Sequence, residues 1–126
     1  SKAELVRGVL FGKLSLLNGM LLENAVAQTL AAKGERLLTF SQSGKKAGEE
    51  RIEIDFLLLR PDAGAGGALR VNPVEVKRSV RFRTLSLLRF AEKFGEIVES
   101  EYVVYPGRLR REGRRLLVPL YAAHCL

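Results

Sequence analysis

The chain has 126 residues, a mass of 14.0 kDa and a hydrophobic fraction of 47%, enough for one domain with a buried core and too apolar for a disordered chain. One cysteine, Cys125, and one histidine, His124, exclude an intramolecular disulfide and argue against a zinc site or Cys-His catalysis. The 21 basic residues outnumber 14 acidic ones for a net charge of +7, and the Arg-rich balance suits phosphate recognition, although an ordinary basic protein can have the same balance.

No apolar run reaches the length of a membrane span and no signal-peptide pattern is present, which reads as a cytoplasmic protein with no membrane partner. The chain starts at Ser1, compatible with a piece of a longer protein. Residues 1–17 carry Leu5, Val6, Val9 and Leu10, interrupted by Gly8 and Gly12, and predict a short helical segment ahead of a single domain over 18–126. The next helix starts at Asn18 as N-cap and ends at Gly34, with an apolar arc of Leu21, Leu22, Ala25, Val26, Thr29 and Leu30. Glu23 falls at the edge of that arc. A short strand is expected over 35–40 and a polar loop over 41–50.

Residues 51–60 alternate, with Ile52, Ile54, Phe56 and Leu58 on one face and Glu53, Asp55, Leu57 and Leu59 on the other. Both faces turn apolar after Asp55, the pattern of a strand buried on both sides. An Ala- and Gly-rich loop over 61–67 leads to a strand over 68–77, where Pro73 implies a bulge or an unpaired position. Thr84 is placed to cap a helix through Leu85, Leu88, Phe90, Ala91 and Phe94, closed by Gly95. A strand over 101–105, a basic turn over 108–115 and a last strand over 116–120 complete an α/β sandwich with a mixed sheet of four or five strands.

Asp55 is the residue that demands a partner, because an acid inside an apolar strand is paired or bound to a metal. If strands 51–60 and 68–77 form a hairpin, Asp55 lies beside Glu75, and Glu75 and Lys77 share a face. Two carboxylates that close repel unless a cation lies between them. A structural ion pair through Lys77 is the plainer explanation of the same residues. Glu23 is equally explained as a solvated helix residue or as a member of this acidic cluster. Arg78, Arg81 and Arg83 follow the motif, where a phosphate backbone would meet them. The run Arg108, Arg110, Arg111, Arg114 and Arg115 is either a second contact or a solvated hairpin.

Asp55 followed by Glu75-Val76-Lys77 on adjacent strands resembles the PD-(D/E)XK phosphodiesterase superfamily, whose restriction-endonuclease-like core has the order αβββαβ. A narrower resemblance rests on Gly19-Met20-Leu21-Leu22-Glu23-Asn24, Glu53-Ile54-Asp55-Phe56, Pro73-Val74-Glu75-Val76-Lys77, Ser86-Leu87 before Phe90, and Pro119-Leu120-Tyr121. These look like the uncharacterised C-terminal domain that follows the AAA-type ATPase module of bacterial and archaeal predicted ATPases, over residues 18–126. The resemblance implies a Mg²⁺- or Mn²⁺-dependent nuclease acting on nucleic acid, DNA above all. Asp55 and Glu75 would hold the metal, Lys77 would orient or activate water, and Glu23 would assist. It equally admits an inactive accessory module that binds DNA or a protein partner of the ATPase. A third possibility is an interaction domain that docks on its ATPase through residues 9–17. No Gly-x4-Gly-Lys-Ser/Thr loop is present, so no ATP site lies in this chain, and residues 1–17 would be the remnant of a connection to the ATPase part.

Overall fold

Runs rich in Val, Ile, Leu and Tyr make the longer strands of one sheet, and two helices with apolar stripes cover its opposite faces. The computed structural model describes residues 1–6, 19–44, 51–62 and 66–126. Residues 2–6 are helical, and then the order is α1 (Gly19–Ala32), β1 (Arg36–Gln42), β2 (Ile52–Asp62), β3 (Ala68–Val76), α2 (Leu85–Phe94), β4 (Glu101–Tyr105), β5 (Arg110–Glu112) and β6 (Arg115–Pro119). A 3₁₀ turn over Leu120–Cys125 follows. The Asn18 cap, residues 9–17 and the centres of both expected loops lie outside the described residues. No helix among the described residues is long and apolar enough to cross a membrane.

The sheet order is β1-β2-β3-β4-β6-β5. β1, β2 and β3 form an antiparallel meander, β3, β4 and β6 are parallel, and β5 returns antiparallel on β6. Among the described residues the sheet therefore has six strands, where the sequence suggested four or five. The additional one, β5, is three residues long and fully exposed, so no hydrophobic alternation marks it.

Each face has its own core. α1 places Val26 and Leu30 over Leu58, Val74, Val76, Tyr102, Val104 and Val118. α2 places Leu87 and Phe90 over Ile52, Ile54, Leu57, Val71, Val103 and Leu117. Burying each such side chain contributes about 1.5–3 kcal/mol. The arc of α1 is narrower than its sequence suggests, since Leu21 and Ala25 are exposed. Its C-terminus is as expected: Gly34 has φ +84°, Gly34 N–H donates to Ala31 and Glu35 N–H to Leu30, the double closure of a Schellman motif. At α2 the ends differ from expectation. Thr84 makes no side-chain cap, because its hydroxyl accepts from Arg115, and Gly95 stays right-handed and leads into a 3₁₀ turn.

β2 carries the feature that shapes the site. Leu38 pairs with Leu57 but Phe40 pairs with Ile54, so Thr39 stands opposite two residues, Asp55 and Phe56. This bulge switches the strand's phase. Ile52 and Ile54 share a core with Leu57 and Leu59, whereas Phe56 and Leu58 face the other, so the uninterrupted alternation expected from the sequence does not hold. Pro73 causes no bulge, since the β2–β3 register runs through it unbroken. Its missing N–H falls on the β4 side, where pairing begins only at Val74. There the buried Asn72 amide oxygen accepts the Glu99 and Ser100 N–H groups, both at 3.1 Å.

Candidate functional site

The last β2–β3 pair on the site side is Phe56 with Val74, and beyond it the strands part. Val76 N–H, which points at β2, finds no backbone acceptor in the register. It donates to Asp55 Oδ2 at 2.8 Å instead. The bulge thus turns a carboxylate into the gap between strands, completing the ladder with a side chain.

Glu75 sits one residue earlier on β3, with 5% of its surface exposed. Its Oε2 lies 3.0 Å from Lys77 Nζ, and Lys77 is about a quarter exposed. Glu23 reaches the same gap from α1, half-buried and near enough for the Asp55 and Glu75 carboxylates to act on it. The four residues Glu23, Asp55, Glu75 and Lys77 are therefore brought together where β2 and β3 diverge. Arg78, Arg81 and Arg83 are exposed on the chain that leaves it.

All three acids are pushed above their ordinary pKa. For Glu23 the cause is burial first, then the charge and hydrogen bond of Asp55 and the charge of Glu75. For Asp55 it is burial, opposed by Val76 N–H, Lys77 and the Glu23 bond. For Glu75 it is burial, opposed by Lys77, with Asp55 adding repulsion and Arg115 relief. Ionised together, the three carboxylates cost the fold stability.

The sign of the pH effect follows. A carboxyl whose pKa is raised on folding binds its proton more tightly in the native state, so its ionisation destabilises that state. Stability should fall as pH rises from the ordinary glutamate value near 4.5 through the raised value, and stay lower above it. In EDTA at pH 8, Glu75→Gln is expected to stabilise the protein by about 1 kcal/mol, or roughly 3–6 °C in Tm. The gain should shrink as pH approaches 4.5, which thermal melts across pH would show.

Among the described residues, no three His, Cys, Asp or Glu side chains are assembled closely enough to enclose a metal. Asp55 and Glu75 offer carboxylate oxygens, the donor type of hard divalent cations, although one oxygen of each already serves Val76 N–H or Lys77. Arg114 and Arg115 are not part of a freely solvated hairpin. Arg115 Nη2 and Arg114 Nε each lie 3.2 Å from the buried Glu101 carboxylate, and Arg115 Nη1 donates to Thr84 Oγ1 at 2.9 Å. Glu101 is the residue the sequence hid, although an acid opening an apolar strand offered the same signal as Asp55.

The chain matches no known protein family, no curated protein and no solved structure.

Proposed function

We propose that this is a divergent PD-(D/E)XK-type domain with a restriction-endonuclease-like core, a Mg²⁺- or Mn²⁺-dependent phosphodiesterase on DNA that is joined to an AAA-type ATPase. The observation that carries the reading is the convergence of Asp55, Glu75 and Lys77, with Glu23, on the point where two paired strands separate. Asp55 and Glu75 would hold the cation, which supplies Lewis-acid stabilisation of the phosphate. Lys77 stands beside Glu75 with part of its surface open to water, placed to orient an attacking water or to neutralise phosphate charge. Glu23, close enough to Asp55 for their charges to interact, would assist from α1. Arg78, Arg81 and Arg83 supply the electrostatic attraction for the substrate backbone.

The test is cleavage of plasmid and single-stranded DNA in Mg²⁺, Mn²⁺ or EDTA, together with calorimetric metal titration. Cleavage in either metal and none in EDTA is expected. The 3.0 Å Lys77–Glu75 ion pair favours a second reading, an inactive accessory module of the ATPase in which that pair is purely structural. Neither cleavage nor metal binding would select it.

A further inference from the structure

After Lys77 the chain crosses to α2 through residues 78–84, carrying exposed Arg78, Arg81 and Arg83. β4 ends beside that crossing, since Val76 pairs with Val104 and Lys77 N–H donates to the Val104 carbonyl at 2.8 Å. The Phe82 ring meets the Tyr105 ring edge-to-face, with centroids 5.7 Å apart. The Tyr105 hydroxyl donates in turn to the Arg108 carbonyl. One buried side chain thereby joins the segment holding Arg81 and Arg83 to the segment holding Arg108. Gly107 passes directly over that ring: a Cβ there would lie 2.4 Å from its carbons, so a larger residue would displace the ring. Among the described residues, Arg81, Arg83 and Arg108 form no ion pair with a carboxylate, whereas Arg110 is paired with Glu112.

We propose that Tyr105 is a positioning residue that clasps the Arg108 segment to the Arg81–Arg83 loop, so that both hold the phosphate backbone of duplex DNA as one rigid cationic surface. The inference rests on the nucleic-acid reading above and deepens it. Backbone contacts need arginines fixed in relative position, and fixing them before binding reduces the ordering cost. Single-strand binding instead needs aromatic faces for base stacking. Here the two rings between the arginines are turned on each other, and Tyr105 is only 3% exposed.

The test is fluorescence anisotropy with a labelled DNA duplex and its single strand, in EDTA over a range of salt. Arg108→Ala should weaken duplex binding about three- to tenfold and reduce the slope of log affinity against log salt by about one. Tyr105→Phe, which keeps the ring and loses the hydroxyl, should reproduce most of both changes. It should add nothing in an Arg108→Ala background yet act in full in an Arg78→Ala background. Equal effects in both backgrounds, or an unchanged salt slope, would overturn the clasp. Single strand bound as tightly as duplex would overturn the substrate class. Wild-type protein that binds neither would overturn the surface itself, whereas duplex binding without cleavage in metal would remove only the nuclease reading.

Discussion

In Mg²⁺, Asp55→Asn is expected to reduce DNA cleavage by about a thousandfold or more while the domain stays folded. Cation stabilisation of a phosphoryl transition state is worth several kcal/mol, and each 1.4 kcal/mol is about tenfold in rate. Asparagine is the informative replacement because its amide oxygen can still accept Val76 N–H, the bond that Asp55 makes at 2.8 Å. Alanine would leave that N–H without an acceptor, at a cost of about 1–3 kcal/mol, mixing a structural loss with a chemical one. Burial already disfavours the Asp55 charge, so the neutral asparagine is expected to leave the fold about as stable. Single-turnover cleavage and thermal melts of the same preparation check both halves. A folded Asp55→Asn protein that cuts like wild type would remove Asp55 from the chemistry.

Glu101→Ala should destabilise the fold by about 2–4 kcal/mol, because it leaves two arginines without their buried carboxylate. Glu101 is 5% exposed and receives both Arg114 and Arg115. Its loss leaves two guanidinium groups facing an empty site. Arg115 is held there by Thr84 at the start of α2 and cannot swing into water without breaking that bond, whereas Arg114, bonded to the Gly95 and Val98 carbonyls, is already partly in solvent. Glu101→Gln keeps an acceptor and should lose about half as much. Urea denaturation, with the slope compared between variants, separates a change in stability from a change in the unfolded chain. A loss under about 1 kcal/mol for Glu101→Ala would show that the arginines find other partners.

Most of the α/β architecture was legible where periodicity and end signals agree. Gly34 announced the end of α1, and the apolar run after Asp55 announced a strand buried on both faces, with Leu57 and Leu58 both in cores. Asp55 drew attention because it breaks that run, and Glu75 and Lys77 because they share a face. What stayed hidden depends on partners distant in sequence. The bulge at Asp55 and Phe56 exists only relative to β1, which offers one residue where β2 has two. Thr84 has the composition of a cap, but Arg115 takes its hydroxyl. β5 has no apolar alternation because it lies at the open edge of the sheet, outside both cores. Glu23 could be placed at a helix edge from its angle, but its approach to Asp55 requires knowing how α1 sits on the sheet.

Losing a single residue between Ile54 and Leu57 would rejoin β2 to β1 without the two-against-one step. Ile52 and Ile54 would then swing out from beneath Leu87 and Phe90 and into the layer under α1, since a one-residue slip inverts every side chain of a strand. The same event would withdraw the carboxylate from Val76 N–H. Chain length at this point is therefore fixed by two separate demands, the filling of one core and the aim of one acid. Related sequences that keep the acid should vary freely in the composition of β2 near its ends and not at all in the count of residues between Ile54 and Leu57.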